Sequence, residues 1–175
     1  RRSVANHLND LSRDNPDLVL ATAERWLADP APTTPALVKH ALRTLIKRGD
    51  PAALAVLGFH PPQLTIDGPH LSSTVIPFGG TLEMTATLTN TGSEPAKLAV
   101  DCVVHRQRAN GTTTPKTFKL NTVTLSPGES REVGTQHSFR AISTRRYYPG
   151  DHSCTLQVNG TQSDTVPFTL ELPTD

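Results

Sequence analysis

The sequence predicts an α + β chain of two domains, with truncated HEAT-like helical repeats in residues 1–61 and an immunoglobulin-like β-sandwich in residues 62–175. The first observation is a change in composition, because Ala and Leu together number 20 in residues 1–60 and 15 in the following 115, whereas Thr rises from 4 to 20. Ala and Leu favour helices and Thr favours strands. The second observation is the pair Pro61-Pro62, through which a helix cannot continue. We therefore place the domain boundary there.

Four helices are predicted in the first domain from apolar residues that recur with a helical period. Asn15 and Thr33 or Thr34 are candidate caps, and Gly49 is a candidate helix stop before an Asp50 cap. Paired helices with short links are typical of a HEAT-type solenoid. The start at Arg1-Arg2, without Met or a cap, favours a piece of a longer chain. The predicted helices cover residues 2–13, 17–28, 34–48 and 51–58.

Eight short strands are predicted in the second domain, where apolar residues alternate and Gly-containing turns separate the runs. Seven or eight strands over about 110 residues are typical of an immunoglobulin-like sandwich. Cys102 and Cys154 both fall on inward positions, where either a disulfide or a reduced apolar pair fits. The predicted strands cover residues 63–66, 73–77, 81–89, 97–107, 116–125, 131–139, 152–158 and 165–172.

Composition excludes several classes of protein. No apolar run approaches the roughly 20 residues of a membrane helix. The seven His and two Cys show no metal-ligand spacing, and the chain contains no G-x-S-x-G, P-loop or dinucleotide fingerprint, so we predict no metal and no cofactor. The net charge of +1 argues against a uniformly basic nucleic-acid binder but leaves room for a local basic face.

Two helical ridges carry polar side chains opposite the apolar stripe. The first helix places Arg2, Asn6 and Asp10 on one face, with Arg13 one turn further. The third places His40, Arg43 and Lys47 on one face without an acid. Such faces are expected either of a solvated surface with helix ion pairs or of a groove that holds a polyanion. Stacked helices would lay the two ridges side by side.

One connection in the sandwich is rich in cations. Arg140, Arg145 and Arg146 lie in a stretch that has no acid from Val133 to Gly150, next to the only two tyrosines, Tyr147 and Tyr148. Arginine binds phosphate in bidentate fashion and Tyr stacks or donates a hydrogen bond, so the segment is a candidate nucleic-acid contact. One of the two tyrosines is expected to be a structural corner residue of the sandwich.

Several sequence strings resemble the AlkC branch of the bacterial DNA alkylation repair glycosylases, which combine HEAT-like repeats with an appended immunoglobulin-like domain. These are RRSVANHLND at residues 1–10, NPD at 15–17 followed by Trp26, and HALRTLIKRGDP at 40–51. HSFRAISTRRYYPG at residues 137–150 and QVNG at 157–160 resemble the appended domain.

The resemblance implies excision of cationic alkylated bases, chiefly 3-methyladenine, from double-stranded DNA by a cytoplasmic bacterial monomer. A carboxylate near the sugar would stabilise an oxocarbenium-like transition state. Asp10 is the candidate in this chain, although it also suits a simple ion pair. The expected DNA-binding residues are Arg1, Arg2, Asn6, His40, Arg43, Lys47, Arg140, Arg145 and Arg146.

Two other functions fit the same residues. In one, the sandwich is a non-enzymatic module that recruits a protein partner. In the other, it is a cap that covers the last apolar face of a solenoid. Family members carry further active-site residues upstream of the matched strings. The resemblance therefore implies that these 175 residues alone are inactive as a glycosylase.

Overall fold

The computed structural model describes residues 2–143 and 146–171. The chain divides into two compact units, Arg1–Pro61, which contains helices, and Pro62–Asp175, which contains strands. The helices of the first unit are α1 (Arg2–Leu11), α2 (Pro16–Ala28), α3 (Thr34–Ala41), α4 (Arg43–Arg48) and α5 (Pro51–Val56).

The predicted fold class, truncated HEAT-like helical repeats followed by an immunoglobulin-like sandwich, is wrong. The structure is mostly β, with 43% strand and 26% helix, and the described helices are five short ones. The longest of them, α2, has 13 residues. An Ala- and Leu-rich composition raises helix propensity but does not set helix length, because tertiary partners decide where a helix ends.

The third predicted helix, residues 34–48, is divided at Leu42 into α3 and α4. The Oδ1 atom of the buried Asn9 in α1 accepts a hydrogen bond from the Thr44 N–H at 3.1 Å. This amide lies in the first turn of α4, where backbone N–H groups lack an acceptor within the helix. Asn9 therefore acts as a cap supplied by another helix, and the single predicted ridge of His40, Arg43 and Lys47 is split between two helices.

The predicted helix signals after α4 are confirmed. Gly49 has a φ of 75° and ends α4 in the left-handed conformation. The Asp50 carboxylate accepts the Ala53 N–H at 2.8 Å, and Pro51 is the first residue of α5. The predicted cap Thr33 does precede α3, but its side chain makes no capping hydrogen bond.

The described strands of the second unit form two sheets. One has the order β1-β3-β6 and is antiparallel, and the other has the order β2-β9-β7-β4-β5, in which β2 pairs with β9 in parallel and β8 pairs with β7. The strands are β1 (Leu64–Leu71), β2 (Val75–Pro77), β3 (Thr81–Asn90), β4 (Ala96–Gln107), β5 (Thr113–Leu125), β6 (Ser130–Ser138), β7 (Gly150–Val158), β8 (Thr161–Gln162) and β9 (Val166–Glu171).

The core of the second unit is built from alternating residues of both sheets. In β3 every second residue from Leu82 to Leu88 is buried, and in β4 the same holds from Leu98 to Cys102, after which Val103 and Val104 are both buried. This period of two is what a strand with one buried face requires. Phe139, Leu156 and Phe168 belong to the same cluster. The segment from Phe139 to Gly150 therefore begins at a residue of the core.

Candidate nucleic-acid interface

The polar faces of α1 and α3 meet in the helical unit. The His40 Nε2 atom donates a hydrogen bond to Asn6 Oδ1 at 3.0 Å, and the Thr44 N–H reaches Asn9. Both contacts advance in the same direction along the two segments, so α1 runs parallel to α3 and α4. The structure therefore places Asn6 and His40, which were predicted on separate ridges, side by side.

A groove of about 330 Å³ lies next to this contact. Ala5, Ala36 and Leu37 supply apolar wall, and Arg2, Thr33 and His40 supply polar atoms. The groove thus joins residues from the start of α1 and from the start and end of α3.

Of the remaining predicted residues of the helical unit, Asp10 lies on α1, and Arg43 and Lys47 lie on α4. Asp10 is exposed and lies one turn beyond Asn6 on α1. The Arg43 Nη1 atom donates to the His40 carbonyl oxygen at 2.9 Å, and Lys47 is exposed on α4. Arg1 lies outside the described residues. Asn9, which caps α4, was not predicted, because its partner, the Thr44 N–H, is distant in sequence.

The arginine-rich connection of the sandwich begins and ends on buried aromatic rings. Phe139 is fully buried, and the buried Tyr147 donates its hydroxyl hydrogen to the Ser138 carbonyl oxygen at 3.2 Å. The two rings contact each other edge to face, with centroids 5.1 Å apart. The expectation that one tyrosine is a corner residue of the sandwich is confirmed for Tyr147.

The cations of this connection point away from the core. Arg140 and Arg146 are both exposed, and the Arg146 guanidinium carbon lies 5.3 Å from the centre of the Tyr148 ring. This distance is within the range of a cation–π contact. Arg145, the third predicted cation, lies outside the described residues. Arg140 and Arg146 are thus presented at the surface by a segment whose base is formed by the buried Phe139 and Tyr147.

His152 forms part of that base, and its role was not predicted. It is buried in β7, its Nε2–H donates to the Tyr148 carbonyl oxygen at 3.0 Å, and its Nδ1 accepts the Gln107 N–H at 3.4 Å. Burial lowers the pKa of His152 below its ordinary value, and the charge of Arg106 lowers it further. The ring is therefore neutral at pH 7. Alternation along β7 placed His152 inward but gave no hint of its partners.

The two cysteines are free and buried on adjacent strands. Burial raises the pKa of the Cys102 thiol to about 12 and that of Cys154 to about 11. Both thiols are therefore protonated at neutral pH and lack the thiolate that nucleophilic or metal-binding cysteines use. Within residues 2–143 and 146–171, no group of three or more His, Cys, Asp or Glu side chains could hold a metal ion. No helix in this part of the chain is long and apolar enough to cross a membrane.

Comparison with known proteins relates the chain to one family and to DNA glycosylases. Residues 65–172 match the family described as the C-terminal Ig-like domain of the uncharacterised protein YhaZ. The uncharacterized protein YhaZ of Bacillus subtilis (strain 168) is 30% identical over 169 residues, which is 96% of this chain and 46% of YhaZ. The alkylpurine DNA glycosylase AlkC of Pseudomonas fluorescens, solved bound to DNA containing an abasic site analog, is 35% identical with a TM-score of 0.90.

That match covers 98% of this chain and 48% of AlkC, so the chain spans about half the length of these two relatives. A β-glucosidase from Listeria innocua, a D270A variant in complex with laminaribiose, matches 63% of the chain and 16% of its own length at a TM-score of 0.54. At a sequence identity of 14%, this structural likeness indicates a similar fold and nothing about function. The comparisons therefore relate the chain to a DNA alkylation glycosylase.

Proposed function

The chain belongs to the family of the YhaZ C-terminal Ig-like domain, and we propose that it is the C-terminal portion of a glycosylase that excises cationic alkylated bases such as 3-methyladenine. The likeness to AlkC carries the proposal, because 98% of the chain aligns at a TM-score of 0.90 and 35% identity. Likeness of this extent covers the helical unit as well as the sandwich. The proposed partner is double-stranded DNA that contains an alkylated base.

In this proposal the protein does not have to activate the leaving base. Alkylation leaves a positive charge on the base, so the glycosidic bond is already weak and the leaving group needs no protonation. A carboxylate beside the sugar stabilises the oxocarbenium-like transition state and positions water. We assign this role to Asp10, whose carboxylate is exposed one turn beyond the Asn6–His40 contact.

The proposed DNA contacts lie in both units. In the helical unit they are Arg1, Arg2, Asn6, His40, Arg43 and Lys47, and in the sandwich they are Arg140, Arg145 and Arg146. Arginine and lysine neutralise phosphates, whereas the Asn6 amide and the His40 ring supply hydrogen bonds. The exposure of Arg2, Arg140 and Arg146 supports the assignment, because a phosphate contact requires an accessible guanidinium.

Duplex binding tests the proposed partner. The 175-residue chain would be titrated against a labelled duplex that contains an abasic site analog, and its affinity measured by fluorescence anisotropy at several salt concentrations. We expect the charge reversal Arg140→Glu with Arg146→Glu to weaken binding at least about tenfold and to flatten the salt dependence. The matched reversal of Lys116 and Lys119, two exposed cations of β5, should have less than about a twofold effect. Unchanged affinity in the first variant would instead favour a module for protein interaction.

Base release tests the proposed reaction. The region of P. fluorescens AlkC that this chain matches would be replaced by this chain, and release of 3-methyladenine from alkylated DNA measured. We expect the chimera to excise the base and Asp10→Asn to slow excision about 100-fold while DNA binding is retained. Asp14→Asn, which removes another exposed carboxylate four residues away, is the control and should excise normally. Normal excision by the Asp10 variant would remove it from the active site.

A further inference from the structure

We propose that His152 is the positioning residue that holds Arg146 in place for contact with the DNA backbone and that it acts through Tyr148. The inference deepens the proposed function and rests on it. His152 does not itself reach DNA, because its side chain is buried. Arg146 is the exposed residue, and Tyr148 connects it to His152.

The His152 ring makes two directional contacts in its neutral form. The Nε2–H donates to the Tyr148 carbonyl oxygen, and Nδ1 accepts the backbone N–H of Gln107 at the end of β4. One tautomer satisfies both atoms, since one nitrogen donates and the other accepts. The ring thereby ties the end of the arginine-rich connection to the middle of the six-stranded sheet.

The position of the ring is itself fixed by packing. His152 stacks on Phe168 of β9, with centroids 5.4 Å apart and an angle of 21° between the planes. Phe139 contacts its edge at 6.0 Å. Nearby, the Gln107 Oε1 atom accepts the Asp151 N–H at 2.7 Å, which holds β7 against the end of β4. A ring held on both sides provides a rigid anchor for the Tyr148 carbonyl group.

Tyr148 transmits this anchor to Arg146. Its carbonyl oxygen is held by His152, and its half-buried ring lies under the Arg146 guanidinium at 5.3 Å. A guanidinium that rests on an aromatic face keeps its N–H groups at the edge, where they can bind phosphate oxygens. Ordering the long side chain before binding also reduces the entropy lost when DNA binds.

Protonation of His152 would disturb this arrangement. The Nδ1 atom would become a donor and would face the Gln107 N–H, so that contact would be lost. The groups that act on the charge of the ring are Arg106 on β4, which opposes protonation, and the Tyr148 carbonyl and Asp151 on β7, which favour it. Phe139 and Phe168 contribute no charge. DNA affinity that depends on Arg146 should therefore decline once the pH falls below the folded-state pKa of His152, which burial lowers from its ordinary value.

A double-mutant cycle on the 175-residue chain tests the inference, with the abasic-site duplex as probe. We expect Arg146→Ala to weaken binding about fivefold and to lower the salt slope by about 1. His152→Gln should cause a similar loss, and the double variant should lose no more than about twofold beyond either single variant. Tyr148→Leu removes the ring without altering the core and should reproduce the loss if His152→Gln folds poorly. Asn90→Ala, which removes a buried polar side chain elsewhere in the sandwich, should bind DNA normally.

Two readouts separate this inference from a general loss of stability and from failure of the proposed function. The ratio of wild-type to His152→Gln affinity should shrink once the pH is low enough to protonate His152 in the folded protein, whereas a purely structural role would leave that ratio unchanged. Additive losses from Arg146→Ala and His152→Gln, or no loss from Tyr148→Leu, would overturn the positioning role while DNA binding stood. An Arg146→Ala variant that binds as well as the wild type would overturn both proposals for this segment.

Discussion

Replacing Asn9 by Ala should destabilise the helical unit selectively. The Asn9 Oδ1 atom accepts the Thr44 N–H at 3.1 Å, and the residue is 2% exposed. Loss of a capping side chain costs about 1 kcal/mol, and a fully buried donor left without an acceptor costs about 1–3 kcal/mol, whereas the Thr44 residue is half-buried. We therefore expect the free energy of unfolding to fall by about 2 kcal/mol.

The chain offers a selective probe for this measurement. Trp26, the single tryptophan, packs against the core of the helical unit, so its fluorescence during urea denaturation reports on that unit. Asn6→Ala is the matched control on the same helix, because its hydrogen bond to His40 is exposed and should contribute no more than about 0.5 kcal/mol. Asn9→Asp keeps an acceptor oxygen and should fall between the two variants.

Two outcomes for the Asn9 and Asn6 variants would contradict a capping role for Asn9. One is a loss below about 0.5 kcal/mol for Asn9→Ala, which would mean that Thr44 finds another acceptor at little cost. The other is an equal loss for Asn6→Ala, which would mean that exposure does not separate the two amides. A shift confined to circular dichroism of the strands, without a change in Trp26 fluorescence, would also contradict it.

Three further predictions concern the base of the arginine-rich connection. Because the folded-state pKa of His152 is lowered, the unfolded chain takes up a proton before the folded chain does as the pH falls below about 6.5. The stability that the neutral ring contributes is therefore present above that pH. Below it, the free energy of unfolding declines by at most about 1.4 kcal/mol per pH unit. Urea denaturation of the wild type and of His152→Gln from pH 5 to 8 checks this, and parallel pH curves would contradict it. Tyr147→Phe should lose about 1 kcal/mol in thermal unfolding, because only the hydrogen bond to Ser138 is removed, and no change in Tm would mean that water replaces it. Gly150→Ala should lower the free energy of unfolding more than Gly111→Ala does. Both glycines have a positive φ, but only at Gly150 would the new Cβ lie 2.6 Å from Gln107 Oε1. Equal losses would show that the Gln107 side chain moves freely.

Local chemistry along the chain predicted those features that depend on neighbouring residues. The alternation in β3 and β4 identified the buried face of the sandwich, because side chains of a strand alternate between two sides whatever its partner. Gly49, Asp50 and Pro51 identified the end of one helix and the start of the next, since each acts on its own backbone. The Asn6 and His40 faces were likewise visible as helical periodicity.

Tertiary structure alone decided the features that depend on contacts distant in sequence. Helix α3 ends early because an amide 35 positions away captures the Thr44 N–H, and no local pattern contains that information. The prediction of one continuous helix over residues 34–48 was wrong for this reason, because propensity alone does not set where a helix ends. His152 is held in place by Tyr148, Gln107 and Phe168 in the folded sandwich, and burial there lowers its pKa. Sequence thus determined which faces are apolar, whereas packing determined which polar groups are buried and what they hold in place.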